Sequence, residues 1–439
     1  MISLIRGMFL DFIGNPFREA EEKCIRFLPD GLLAVENGKI LDFGNYSQII
    51  GRYSQIPVAH YPGRLILPGF IDAHVHYPQM SVIASYGEHL LEWLDRYVYP
   101  TEEKFHDYDY ARQIASLFLD ELLSNGITTA AVFCTVHPQS VDAFFEESLK
   151  RNMRMIAGKV MMSRNAPQYL QDTVESSYEQ SKQLIEKWHE RERLLYAVTP
   201  RFAITCPREQ LDAAHRLQDE FPGVYLHTHI SENVNEIHLT LDLFKDCSDY
   251  LQVYEKSNLV GPRSLFAHGV HLSDSELTRL SHAGAAVVFC PMSNLFLGSG
   301  LFNLNKAACG PDPVHLALGT DVGAGTSFSL LRTLSEAYKV AALQDQKLSA
   351  YKGFYLLTRG GAVSLDLQDK IGNFDIGKEA DFVVLNPGAT QILRLKHSSQ
   401  PVNDIENLPH ILFSLMCLGD ERVIEKTYIA GSILHEKNI

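Results

Sequence analysis

Apolar and polar positions change rhythm twice along the chain. Through roughly the first sixty residues they alternate and turn often, as in GLLAVENGKILDFG, and the turn signals at Asn37-Gly38 and Gly44-Asn45 predict hairpins. The opening MISLIRGMFLDFIG is apolar but interrupted by Arg6 and Asp11. It lacks a small-residue cleavage site, so it predicts a strand rather than a signal peptide. The C-terminal stretch returns to the same alternation. There ADFVVLN precedes VIEKTYIAGSILHE, whose Ala430-Gly431 marks a turn between two strands. Neither end holds enough alternating strands to stand alone. Because termini of large domains often lie close together, both ends are expected to combine into one β-sandwich.

Between the ends, short apolar runs recur, each followed by a helical pattern. They are LILPGFIDAHVH (65–76), ITTAAVFCTV (127–136), MIAGKVMM (155–162), LLYAVT (194–199), VYLHTHI (224–230), SLFAHG (264–269), AAVVFC (285–290) and HLALGTD (315–321). In the gaps, Ile114, Leu117, Phe118 and Leu122 keep helical spacing before the stop signal Asn125-Gly126, as do Val141, Phe144, Phe145 and Leu149 after Pro138. Eight continuous apolar strands alternating with helices predict an α/β fold, a closed parallel TIM-like (β/α)8 barrel whose strands are buried on both faces. The span of ~250 residues typical of that barrel fits 66–370 once insertions are allowed. The expected division is therefore 1–65 and 371–439 for the two parts of the sandwich and 66–370 for the barrel.

Composition narrows the partners. The chain has 439 residues and a formal charge of 39 − 53 = −14, an acidic balance that argues against nucleic acid or an anionic membrane as partner. No stretch approaches the ~20 apolar residues of a membrane-spanning helix, so a cytoplasmic protein is expected. The seven cysteines (24, 134, 206, 247, 290, 309 and 417) form no Cys-x-x-Cys and predict reduced, mostly buried thiols.

Chemistry in such barrels sits at the C-terminal ends of the strands. The first run ends in His74-Val75-His76, and alternate residues of a strand share a face, so both imidazoles point one way. The fifth gives His227-Thr228-His229 followed by Ile230-Ser231-Glu232, the sixth Ala267-His268-Gly269, and the eighth Gly319-Thr320-Asp321. Unpaired, each surplus buried polar group would cost roughly 1–3 kcal/mol. One divalent cation satisfies them together, and neutral imidazoles with a carboxylate suit zinc or iron. The fourth run, LLYAVTPRF, offers no bridging residue for a second metal, and Lys159 in the third reads as structural, so one ion is expected. Such an ion lowers the pKa of a bound water to about 7 and makes hydroxide available. Glu232, just past the fifth strand, is placed to carry protons beside the metal. Asp321 can bind metal and accept a proton. His268 reads as a ligand or as a group orienting the hydroxide, the second being favoured. His227 is a rival ligand to His229 whose deeper position favours a packed, hydrogen-bonded role. Trp93, on the apolar helix face of LLEWL, reads as lid structure. His89, His282 and the charged stretch around His189 read as ordinary helix or surface groups.

LPGFIDAHVH, His-Ile-Ser-Glu, AHG, LGTD and the late IGNFDIGKEADFVVL together resemble the amidohydrolase superfamily over essentially the whole chain. Within it, LLEWLDRYVYPTEEKF (90–105), TPRF (199–202), HISEN (229–233) and GTDVGAGTSFSLL (319–331) closely resemble the guanine deaminase family. The resemblance implies a barrel with a composite sandwich, one zinc and a homodimer. It implies metal ligands His74, His76, His229 and Asp321, with His76, Gln79, Arg201 and Phe202 against the base. Physically this is sensible: arginine donates to the two adjacent acceptors of guanine, an amide both donates and accepts, and a phenyl ring stacks on the purine. Tyr77 departs from the pattern, which implies a small residue there, and so leaves the fine shape of the pocket open.

The implied reaction is hydrolytic deamination of guanine to xanthine and ammonia, with Glu232, Asp321 and His268 as catalytic groups. Three rivals remain. Another deaminase of the same barrel would act on 8-oxoguanine, cytosine or a triazine. A cyclic-amide hydrolase is disfavoured by the missing bridging lysine, and a non-enzymatic scaffold by the complete set of candidate ligands. The cysteine-ligated deaminases are excluded, because no Pro-Cys-x-x-Cys accompanies a His-x-Glu.

Overall fold

The protein, seen here as a computed structural model, is described over residues 2–86, 90–398 and 403–437. Strand β1 (Ile2–Phe12) pairs antiparallel with β2 (Ile25–Glu36), β2 with β3 (Lys39–Asn45), and β4 (Val58–Pro68) runs parallel along the other edge of β1. Asn37 and Gly38 turn as predicted, both at positive φ (53° and 78°), the twist that a two-residue hairpin demands. Gly44-Asn45 does not turn. Both residues stay in β3 opposite Leu32 and Gly31, and the chain runs straight into the helix Tyr46–Ile49. The glycine there serves packing, since a Cβ on it would meet Ile49 Cδ1 at 3.0 Å.

The barrel follows, as β5 (Phe70–His76), β6 (Ile127–Phe133), β7 (Arg154–Gly158) with its short continuation β8 (Val160–Met161), β9 (Leu195–Pro200), β10 (Tyr225–Ile230), β11 (Ser264–His268), β12 (Ala286–Phe289) and β13 (His315–Leu318). Neighbours pair in parallel from β5 round to β13, with all eight predicted runs in sequence order. The ring closes where Asp321 N donates to His74 O at 2.9 Å and His76 N to Val322 O at 3.2 Å. Ile71, Ala73, Ala131, Ile156, Ala197, Tyr225, Leu265, Val288 and Ala317 form one buried cluster inside the ring. Alternate strand residues face outward onto the helices.

The two predicted helices span Tyr108–Ser124 and Pro138–Lys150. The first is rotated from its expected face: Ala111, Ala115, Phe118, Leu119 and Leu122 are buried, whereas Leu117 is exposed. His189 differs more. It closes the helix Val174–Trp188 half-buried, and its Nδ1 accepts from Tyr196 N at 3.1 Å. His89 lies outside the described residues.

The chain then returns to the first sheet. β14 (Phe382–Leu385) pairs antiparallel with β4, and β15 (Ile424–Ile429) and β16 (Ser432–Glu436) extend it through the predicted Ala430-Gly431 turn. Both ends thus form one composite β unit, a seven-stranded mixed sheet. Ile5, Phe9, Leu33, Phe374, Phe382 and Tyr428 fill one of its faces, and Met8, Leu10, Phe12, Leu65 and Leu67 join the main core shared with the barrel helices. Ion pairs lock the sheet to the N-terminal ends of the barrel strands. Arg154 and Arg193 grip Glu379, and Arg193 also grips Asp381, whose Oδ1 accepts from Ala430 N at 2.7 Å. Lys159 is buried in an ion pair with Asp172, the structural role expected of it. All seven cysteines are free, four of them buried. No helix among the described residues is long and apolar enough to cross a membrane.

Candidate active site

At the C-terminal ends of the strands the histidines converge. A register shift between Asp72 and Val75 of β5 re-aims the strand, so His74 and His76 turn into the mouth although Ile71 and Ala73 already face the interior. His76 Nε2 lies 3.2 Å from His74 Nε2 and 3.3 Å from His229 Nε2. Asp321 Oδ1 lies 3.3 Å from both His74 Nε2 and His76 Nε2. Metal–ligand bonds of 2.0–2.1 Å in a tetrahedron set neighbouring donors about 3.3 Å apart. The spacing therefore fits one small divalent ion.

The tautomers agree. His229 Nδ1 donates to Arg201 O at 2.7 Å, which leaves Nε2 as a lone pair, and His74 Nδ1 is paired with His227 Nε2 at 2.8 Å. His227 thus stands behind His74, in the packed role expected of it. Burial holds His76 down to about 4, His268 down to about 3, and His229 and His227 well below the ordinary imidazole value, so these rings are neutral at pH 7. Burial pushes the Asp321 carboxyl up, but hydrogen bonding from His74 and then His76 outweighs it and holds the group well below the ordinary carboxylate range.

The loop that holds Asp321 is strained. Asp321 has φ 50° and His268 φ 72°, conformations rare for non-glycine residues. Thr320 N donates to Asp72 Oδ1 at 3.0 Å, and Gly325 N donates back to Asp321 O at 2.6 Å. A Cβ on Gly325 would fall 1.8 Å from Thr320 O, which is why GTDVGAG needs a glycine there.

Glu232 is buried beside the cluster. Ser299 Oγ donates to its Oε1 at 3.2 Å, and His268 Nε2 stands 3.5 Å from its Oε2. Burial first, then the charges of Asp321 and Glu236, push its carboxyl well above the usual range. Glu236 fixes the loop by accepting from Glu232 N at 2.9 Å and Asn233 N at 3.1 Å while Tyr250 donates to its other oxygen at 2.7 Å. Asn294 Nδ2 lies 2.9 Å from His268 Nδ1 and holds that ring in place.

A pocket opens onto the cluster. Gln79, Arg201, Phe202, His229, Glu232 and Asp321 line its inner part, and Leu90, Trp93 and Leu94 roof it. Every sequence-predicted site residue but His74, which lies just behind, borders this one cavity. Tyr77 does not: its hydroxyl donates to Ser140 O at 2.7 Å, and its ring stacks on Phe144 at 5.3 Å, so it packs outward and leaves the pocket's shape alone. Glu102 was not foreseen. It is fully buried and accepts from Arg201 Nη1 at 2.7 and 3.0 Å and from Gln79 Nε2 at 3.2 Å. A buried arginine needs a counter-charge, but nothing in YPTEEKF distinguishes Glu102 from its neighbour Glu103, which is exposed. Asn294, Ser299 and Glu236 were missed for the same reason.

The profile of the amidohydrolase family matches residues 65–434. The chain belongs to the amidohydrolase family. This amidohydrolase is 51% identical to guanine deaminase of Escherichia coli K12 across all of its length and 98% of that protein's. It superposes on a crystal structure of guanine deaminase from Bradyrhizobium japonicum with a TM-score of 0.98 at 43% identity, covering both chains entirely. A guanine deaminase of C. acetobutylicum, solved with guanine in its active site, matches 99% of the amidohydrolase at 27% identity and a TM-score of 0.89. At this similarity the amidohydrolase belongs among the guanine deaminases.

Proposed function

We propose that this enzyme hydrolyses guanine to xanthine and ammonia. The observation that carries the reading is the joining, around one cavity, of metal-competent groups of buried histidines with Asp321 and a buried Glu232 to a guanidinium and an amide, Arg201 and Gln79. His74, His76, His229 and Asp321 would hold a single zinc ion, four of their six donor pairs lying 3.2–3.3 Å apart. A divalent metal there supplies the Lewis acidity that makes water nucleophilic at neutral pH.

The chain's own residues do the rest. Arg201 donates to the ring carbonyl, Gln79 reads the neighbouring ring position, and Phe202 covers the purine face, while Leu90, Trp93 and Leu94 keep bulk water out. Asp321 accepts the proton released by the attacking water at Oδ2, the oxygen facing His268. Glu232, whose carboxyl burial pushes well above the usual range, gives a proton to the ring nitrogen beside the amino-bearing carbon, takes up the one held by Asp321 and passes it to the departing amine, and regains a proton from the new hydroxyl as the carbonyl forms. His268 orients the nucleophile. Water and guanine thus become xanthine and ammonia without a net proton. The proposal includes a cytoplasmic homodimer divided at 65/66 and 370/371.

Ammonia release from guanine, 8-oxoguanine, adenine, cytosine and ammeline, with and without a chelator, tests the reading. Guanine is expected to turn over fastest, and only in the metal-loaded enzyme. Faster turnover of any other base would overturn the substrate assignment.

A further inference from the structure

The structure assigns to Glu102 the part of a positioning residue that sets which hydrogen-bonding edge the pocket presents. This inference rests on the proposed guanine reading and extends it to the origin of selectivity. A carboxylate only accepts hydrogen bonds, so it can face a glutamine only through the amide nitrogen. Gln79 Nε2 lies 3.2 Å from Glu102 Oε1, which fixes the amide in one orientation and turns its carbonyl oxygen away from Glu102. Glu102 also takes both short bonds of Arg201 Nη1, at 2.7 and 3.0 Å. Nη2 and Nε of Arg201 then have no protein acceptor among the described residues, although the residue is 3% exposed. The Tyr99 ring, 5.5 Å from the guanidinium carbon, confines it from the other side.

The consequence is a fixed pair: a cationic donor beside an amide acceptor on one wall of the cavity. That pair complements a lactam, whose carbonyl accepts and whose adjacent ring N–H donates. It opposes an amidine edge, where an amino group would meet the arginine and a bare ring nitrogen would meet the glutamine oxygen. A site with buried polar groups left unmatched rejects the wrong edge strongly, as lost pairing at a charged group costs roughly 10- to 100-fold in affinity. Glu102 does not line the cavity, and its side-chain hydrogen bonds among the described residues go to Arg201 and Gln79 and to none of the proposed metal ligands. It acts through Arg201 and Gln79, and because it sits at the end of the roof segment that begins at Leu90, the same segment covers the base and orients the groups that read it.

The test compares guanine with 2,6-diaminopurine, which carries the same 2-amino group but an amidine edge, in wild type, Glu102→Gln and Glu102→Asp. The neutral amide can let Gln79 turn over and loosen Arg201. For Glu102→Gln we expect KM for guanine to rise at least ~10-fold with a smaller fall in kcat, and the preference for guanine over 2,6-diaminopurine to shrink by a similar factor. Glu102→Asp should recover part of that preference. If both substrates lose activity in parallel, with the preference unchanged, Glu102 only supports the fold and the inference fails. Should Glu102→Gln not fold, Gln79→Ala decides instead: it must weaken guanine selectively, and equal loss on both bases overturns the inference. Wild type inactive on guanine would strike the functional proposal itself, a result distinct from any of these.

Discussion

Two buried polar clusters stand at opposite ends of the barrel, and they are satisfied in opposite ways. At the N-terminal end, Arg154 and Arg193 meet Glu379 and Asp381, each cation facing an anion, and Arg193 Nη1 also donates to Asn152 O at 2.7 Å. That cluster is complete within the chain. At the C-terminal end, Nε2 of His76 faces Nε2 of His74 and of His229 across 3.2–3.3 Å, and the His229 nitrogen, whose Nδ1 carries the proton given to Arg201 O, can only accept. His76 Nδ1 there has no partner among the described residues. Burial alone therefore does not separate structure from function. Closed pairing of donor with acceptor marks the first, and convergence of acceptors on one point marks the second.

The largest effect is expected where the acceptors converge. His229→Ala should abolish stoichiometric metal binding and turnover together, read by metal analysis and ammonia release. A variant that keeps both would mean that the convergence has another purpose. Next in size, Glu232→Gln should keep its metal and lose on the order of 10²–10⁴ in kcat, the usual contribution of a positioned proton carrier. Near-wild-type turnover would remove Glu232 from the proton path. A smaller effect is expected behind the ligands: His227→Phe, which deprives His74 Nδ1 of its partner, should weaken metal affinity roughly 10- to 100-fold, measurable by chelator competition.

The opposite cluster should answer in stability and not in catalysis. Glu379→Gln leaves two buried guanidinium groups short of charge and should cost about 3 kcal/mol in denaturant unfolding, with KM and kcat of the folded enzyme unchanged. The pH dependence follows from the direction of the shift. Burial raises the Glu379 carboxyl, but hydrogen bonds and charge from Arg154 and Arg193 outweigh it and hold it below its ordinary value. Its stabilisation is therefore present above the unfolded carboxylate pKa of about 4.3 and lost as pH falls through the lower folded value. Wild type should lose more stability than Glu379→Gln on that acid limb. Equal slopes would show that the pair is not linked to folding.

Much of both ends of the barrel is readable from residues alone, for reasons that can be named. Eight apolar runs keep their strand identity because both faces are buried, and their last residues inherit the mouth by the geometry of the barrel. That brings His74, His76, His229, His268 and Asp321 together on sequence grounds. Gly44-Asn45 misleads, because a glycine that makes room for Ile49 carries the same local signal as one that turns the chain. Tyr77 misleads by position, since its ring leaves the pocket for Phe144.

Periodicity and spacing reside in the amino-acid order: the repeated strand and helix units, the composite sheet from two ends, and the residue types at strand tips. Which groups meet is a matter of the folded chain. The bulge after Asp72, the His229 tautomer fixed by Arg201 O, the pairing of His74 with His227, and the grip of Glu102 on Arg201 and Gln79 join residues from 23 to 153 positions apart. Local sequence constrains a backbone over a few residues. A charge taken out of water seeks its partner through space, and chain distance leaves no mark of where it will find one.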